Sequence, residues 1–238
     1  MRPFTFLITM CSAVLVTDVF VPHGVSAAED VLTRSRAVYG SLQSYADTGV
    51  IVHEYGTSSQ DRHTFTTAFN RLPRRFRLEF TKQNGDHFIV WGDPDAFHTW
   101  WKATGVQRDY PNPDNSGAII MSAENTVGAT SKVPTLLYAK AALPGSFSNL
   151  TGITAATPET VDGHRCERVT ATASDVYGTG HEVNARKVTF AIDAESLLIR
   201  RVVEEWPPLP GQVSRTTTTY QPQLNPQLDE SRFRFTPR

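Results

Sequence analysis

Residues 65–101 read FTTAFNRLPRRFRLEFTKQNGDHFIVWGDPDAFHTWW. From Arg74 to Lys82, Phe76, Leu78 and Phe80 fall on one side of an extended chain, and Arg75, Arg77 and Glu79 on the other, because strand side chains alternate with period two. Asn84-Gly85 is a tight-turn pair, and Gly92-Asp93-Pro94-Asp95 supplies a second turn before Phe97, Trp100 and Trp101. The stretch therefore predicts an antiparallel meander with one apolar face. Such a face must be buried against a second layer of protein or against an apolar ligand.

Outward from this stretch, the chain has 238 residues and a formal net charge of −1. The near-neutral balance argues against a nucleic-acid partner, which usually selects a strongly basic face. The first 28 residues carry Arg2, an apolar run and the small residues Val25-Ser26-Ala27-Ala28, the layout of a cleaved secretory signal. Asp18 interrupts the run, whose apolar core falls short of the ~20 residues that a spanning helix needs. The residues before Cys11, Ile8-Thr9-Met10, lack the small side chains of a lipoprotein-processing site. The expected product is a soluble, exported, periplasmic protein without a lipid anchor, folded as one domain over 29–238. Cys166 is the one cysteine left in it, so no internal disulfide is expected, and a covered strand position suits a lone thiol.

Along the chain, Val31, Ser35, Val38, Leu42 and Tyr45 repeat at helical spacing, predicting an amphipathic helix over Asp30 to about Ser44. Strands follow at 48–55, 62–70, 74–82, 87–91, 96–102 and 106–110. Between about 111 and 162 the pattern stops, and helices are expected at 117–125 and 134–142. This insertion reads as a lid or a plug for the sheet. Strands resume at 164–173, 182–193, 197–206 and 213–220, and Phe233 and Phe235 alternate in a last extended segment. The total is about ten strands.

Catalytic constellations are sparse. The sequence has no Gly-x-Ser-x-Gly elbow, no His-Glu-x-x-His, no Cys-x-x-Cys and no phosphate loop. Gly178-Thr179-Gly180-His181-Glu182 reads as a hairpin turn. His87 and His98 lie on neighbouring strands without a third ligand nearby, too few for zinc. Trp100 and Trp101 point to opposite faces of one strand, so only one of them can line a given platform. No enzyme, metal site or cofactor is expected.

Three segments resemble the LolA-like group of envelope proteins, which includes a periplasmic lipoprotein carrier and its outer-membrane partner LolB. Phe69-Asn70-Arg71-Leu72-Pro73-Arg74-Arg75-Phe76-Arg77 resembles the group's basic residue near a proline before an aromatic strand. Phe88 to Trp101 is similar to its apolar strand, turn and aromatic strand, and Phe233-Arg234-Phe235-Thr236-Pro237 to its Phe-x-Phe-Thr-Pro ending. The resemblance implies an α+β fold in which a curled antiparallel sheet forms an unclosed half-barrel, covered by the first helix and the helical insertion. It implies an apolar ligand on the concave side, and an arginine, here Arg71, that holds the lid. The chain departs from the pattern in reading Arg71-Leu72-Pro73 where the group has adjacent Arg-Pro.

The expected apolar ligand surface is Phe65, Phe69, Phe76, Leu78, Phe80, Trp91 and Trp101 on the sheet, with Ile119 and Leu137 on the insertion. Two functions follow. One is a monomeric carrier or binding protein for a lipid, acyl chain or other apolar ligand, in lipoprotein or envelope-lipid trafficking. The other is a protein-interaction or envelope-sensing module whose hollow is filled by its own side chains and whose partner is an envelope protein.

Overall fold

The computed structural model describes residues 26–56, 59–111, 125–138, 147–177, 181–207 and 213–236. Its first element is helix α1, Ala27–Ser41. Ser26 caps it: Glu29 N donates to Ser26 Oγ at 3.2 Å while Ser26 N donates to Glu29 Oε2 at 3.0 Å. This reciprocal capping box satisfies two otherwise orphaned donors. It starts the helix three residues earlier than the apolar spacing predicts. Leu42, with φ −60° and ψ 133°, ends it by turning the chain extended. Ala28, Val31, Leu32, Ser35 and Tyr39 form the buried stripe.

Among the described residues, twelve strands make one antiparallel sheet: β1 (Ser44–Tyr55), β2 (Ser59–Arg71), β3 (Arg74–Thr81), β4 (His87–Gly92), β5 (Ala96–Trp101), β6 (Val106–Pro111), β7 (Leu150–Val161), β8 (His164–Tyr177), β9 (His181–Asp193), β10 (Ile199–Glu205), β11 (Arg215–Tyr220) and β12 (Gln223–Leu224). Their order is β6-β5-β4-β3-β2-β1-β11-β10-β9-β8-β7, with β12 beside the start of β1. Two meanders are thus fused through the β1–β11 pair, where Gly49 faces Tyr220 and Ile51 faces Thr218. Among the described strands β6 and β7 are unjoined edges, so the sheet is an unclosed half-barrel.

The predicted meander from β1 to β6 is present with short turns, and so are the strands from 164 onward. Three corrections are needed. The insertion is shorter than expected, because β7 occupies Leu150–Val161. Its residues, LTGITAATPETV, are mostly exposed and give no apolar alternation to read. Helix α2 spans Lys132–Leu137 and so begins before Pro134; residues 139–142, in the predicted second half, lie outside the described residues. The helix expected at 117–125 also lies outside them, apart from Asn125. At the C-terminus Glu230–Phe233 forms a 3-10 turn, not a strand.

The core lies on the concave side. Phe65, Phe69, Phe76, Leu78 and Phe80 are at most 2% exposed, and Val188, Phe190 and Ile192 line the opposite wing at 0%. Val133, Leu136 and Leu137 of α2, with Val31 and Leu32 of α1, close over them.

Candidate functional site

Strand parity decides what faces the hollow. Phe65 pairs with Phe80, Phe69 with Phe76, Phe80 with Phe88, and Phe88 with Trp101, so these rings share the concave face. Leu137 joins them from α2. Trp91 does not. It pairs with Arg77, and Arg77 belongs to the other parity, so Trp91 lies on the convex face. The Phe88-Ile89-Val90-Trp91 run is buried on both faces, which removed the alternation that would have placed Trp91. Ile119 lies outside the described residues.

What covers Trp91 is the C-terminal segment. Phe235 packs between Trp91 and Trp100, with ring centres at 5.2 and 5.1 Å. Arg77 donates to the carbonyls of Arg232 and Arg234 at 3.2 and 2.6 Å, and its guanidinium lies 5.6 Å from the Phe235 ring. Arg75 pairs with Glu230 at 2.9 Å. The alternation of Phe233 and Phe235 thus reflects a tail strapped to the outer face.

Arg71, at the end of β2, ties the cover to the sheet. Its Nε donates to Leu42 O at 2.6 Å, and its Nη2 donates to Tyr39 O at 3.2 Å and Leu137 O at 3.1 Å. One guanidinium thereby joins the C-terminal ends of α1 and α2, a use of its fixed fork of donors that lysine cannot reproduce. At the other end of this cover, Tyr220 Oη donates to Ala129 O at 2.5 Å and Ala129 N donates to Thr218 Oγ1 at 3.1 Å. Gly128, at φ +60°, brings its backbone so close that a Cβ would stand 2.9 Å from Thr216 and Thr218. The cover therefore crosses from the Gly49–Tyr220 row to the Phe69 row, where Tyr138 packs on Phe69 at 5.5 Å.

Between these two rows, in the strand register, lies a carboxylate. Asp47 pairs with Thr67, between the Gly49–Phe65 and Tyr45–Phe69 rows, and is 3% exposed. Tyr45 Oη donates to its Oδ2 at 2.7 Å, and the hydroxyl and amide of Thr67 face the carboxylate from the neighbouring strand. Burial pushes the Asp47 carboxyl up to about 6, against the opposing hydrogen bond from Tyr45 and the nearby hydroxyl and amide of Thr67. Tyr39 of α1 stands over Tyr45 at 5.8 Å between ring centres, and its hydroxyl accepts from Ile199 N at 3.0 Å. Sequence reading missed Asp47; its place in the register beside Tyr45 and Gly49 is the signal that finds it.

The hollow is polar at one end, where His53 Nδ1 lies 2.7 Å from Thr216 Oγ1 and 5.3 Å separates the His53 and His63 ring centres, and Glu204 pairs with Arg186 at 2.8 Å. Toward the β6 edge, Phe88, Thr99, Trp101, Val106, Arg108 and Tyr110 line an open groove of about 280 Å³. Trp101 is fixed there by donating Nε1 to Asp86 at 2.6 Å, beneath the Lys82 ammonium. Elsewhere the titratable residues pair structurally: His87 with Glu79, His98 with Asp109, and His164 and Arg200 with Asp193. Among the described residues no group of three or more His, Cys, Asp or Glu gathers at metal-binding distance, and no helix is long and apolar enough to cross a membrane. Cys166 is buried, on the convex side with Val161 and Ala191, and burial raises its thiol.

No family model matches the chain, and no curated relative matches it in sequence. Solved structures do. The MucA/MucB complex of Pseudomonas aeruginosa aligns at TM-score 0.50 and 11% identity, over 89% of this chain and 62% of that one. The lipoprotein LppX of Mycobacterium tuberculosis aligns at 0.46 and 15% identity, over 84% and 97%. A LolA-superfamily protein of Nitrosomonas europaea aligns at 0.43 and 9% identity, over 87% and 97%. At these identities the likeness is one of fold, and function must be argued from the site. The chain has the unclosed half-barrel architecture, covered on its concave side, that the resemblance implies.

Proposed function

We propose that the protein is an exported, periplasmic carrier or binding protein that holds an acyl chain, lipid or comparable apolar ligand on the concave face of the half-barrel. The reading takes residues 1–28 as a cleaved signal and the remainder as one domain, so that processing also removes the Ser26 cap and the buried Ala28, and α1 of the mature chain begins at Glu29. The observation that carries it is apolar surface that the described residues leave open: the face formed by Phe88, Trp101, Val106 and Tyr110, beside Asn125, continues the core outward as the open groove of about 280 Å³. That volume is near the lower end of small-molecule sites, roughly 300–1,000 Å³. Outward movement of α2, with release of its bond to Arg71, would join groove and core into one site. Each methylene then buried contributes about 0.8 kcal/mol, enough for capture without covalent chemistry.

The test is native mass spectrometry of gently purified protein together with uptake of a neutral apolar dye such as Nile red. Co-purifying lipid or saturable uptake is the expected result. A second reading, the protein-interaction module, is favoured by the closed packing of Phe65, Phe69, Phe76, Leu78 and Phe80, at most 2% exposed. A ligand-free spectrum without dye uptake selects it over the carrier.

A further inference from the structure

We infer that the ligand is an amphiphile with an anionic head, a carboxylate or a phosphate, which Arg108 holds at the β6 margin while the apolar chain runs inward along the groove. The inference rests on the carrier reading and specifies its ligand. Strand register sets the concave face of this margin in three rows: Phe88–Trp101–Val106, Val90–Thr99–Arg108 and Gly92–Phe97–Tyr110. The middle row passes from Val90 at 0% exposure through Thr99 at 8% to the exposed Arg108. Arg108 thus stands on the apolar side of β6, two residues from Val106 and two from Tyr110, roughly 7 Å along the strand from each. The acid beside it in sequence, Asp109, has the opposite parity and pairs with His98 on the convex face. Asp86, at the Trp101 end, already accepts from Trp101 and pairs with Lys82. Among the described residues neither the Arg108 guanidinium nor the Thr99 hydroxyl has a hydrogen bond or an ion pair, and both line the groove.

A guanidinium offers a planar fork of donors that fits two oxygens of one carboxylate or phosphate. Thr99, one strand inward at about 4.8 Å, adds a hydroxyl donor on the same row. Lys82, whose ammonium lies 4.8 Å from the centre of the Trp101 ring, and Lys102, which donates to Gly85 O, add positive charge at the Trp101 end against Asp86. An anion is drawn to such a groove and a cation is repelled. The polarity of the middle row then orients the ligand, with its head at Arg108 and its chain lying over Thr99 on the rings of Phe88 and Trp101, toward Val90 and the core. A neutral alcohol of the same length gains the apolar contact and leaves the guanidinium to water.

The experiment is displacement of bound Nile red by decanoate, decyl phosphate, decan-1-ol and decylamine, probes of equal chain length, each below its micellar concentration and at about pH 7.5. The expected result is that at least one anion displaces the dye from the wild type at about tenfold lower concentration than the alcohol, the effect of one charge-assisted bond, and that the amine needs more than the alcohol. The stronger anion names the head, carboxylate for a free fatty acid and phosphate for a phospholipid. Arg108→Gln, an exposed change on an edge strand, should abolish the anion preference and leave displacement by the alcohol unchanged. Arg165→Gln removes the same charge from an exposed position on β8 and should leave the preference intact. Equal displacement by the alcohol and both anions, a preference that survives Arg108→Gln, or one that falls equally in Arg165→Gln overturns the inference while leaving the carrier reading standing. Failure of the wild type to take up the dye or any probe overturns the carrier reading itself.

Discussion

Replacing Asp47 by Asn should change how stability depends on pH, and the size of the effect follows from burial. The carboxyl is raised from 3.8 to about 6 in the folded protein. Moving a titration by one pH unit costs about 1.4 kcal/mol, so the folded state carries a penalty of about 3 kcal/mol once Asp47 is ionised. The folded chain holds this proton longer than the unfolded chain, which makes stability fall as pH rises from about 4 to 6. Below that window both states are protonated and the penalty is absent; above it the penalty is complete. Other carboxylates act oppositely. Glu79, held low by the hydrogen bond from His87, and Glu230, held low by Arg75, contribute stability that is lost as pH falls. The diagnostic quantity is therefore the difference between Asp47→Asn and wild type, measured as urea-unfolding free energy by tryptophan fluorescence at several pH values from 4 to 7.5. The variant should gain about 3 kcal/mol on the wild type across this range, with little gain at the acid end. A difference that stays constant with pH would refute the argument that an ionised Asp47 is carried at a cost in the core.

Three further outcomes are expected. Arg71→Ala removes charge-assisted bonds to the carbonyls of Tyr39, Leu42 and Leu137, and should lower stability by roughly 2–3 kcal/mol and speed dye uptake, read by stopped-flow fluorescence; slowed uptake would contradict a tie between cover and sheet. Gly49→Ala places a Cβ 2.1 Å from Phe65 and 2.5 Å from Thr219 O, and should destabilise by about 1–3 kcal/mol in chemical denaturation, whereas a neutral result would mean that the Phe65 ring swings aside freely. Phe235→Ala removes the ring between Trp91 and Trp100 and should cost about 1–3 kcal/mol with a red shift of tryptophan emission; an unchanged spectrum would argue against the packed tail.

Much of this architecture is legible where residues face two different environments. Phe76, Leu78 and Phe80 alternate with Arg75, Arg77 and Glu79 because one face of β3 meets the core and the other meets charge. The helix stripe of α1 is readable for the same reason, and the capping box Ser26-x-x-Glu29 marks its start more sharply than the apolar spacing does. Legibility fails where both faces share one environment. β7 is an edge strand, exposed along most of its length, carrying Pro158 and two register shifts, and without contrast between its faces. β4 fails in the opposite sense, since the tail around Phe235 buries its convex face and leaves Trp91 indistinguishable from its concave neighbours. Of the site, the rings were readable from period two and Arg71 from the resemblance. Asp47 was not, because a single acid in a strand looks solvent-facing until cross-strand register shows which side it occupies.

The open seam between β6 and β7 has a mechanical consequence. In a closed barrel, strand number and stagger fix the radius, so the bore has one width. A sheet with two free margins is released from that condition. Its radius of curvature varies by twisting about the ladders, with every interstrand hydrogen bond retained. On the carrier reading such a cradle matches its girth to ligands of different thickness at a small elastic cost, while Pro158 and the irregular register of β7 keep that margin from recruiting a foreign strand.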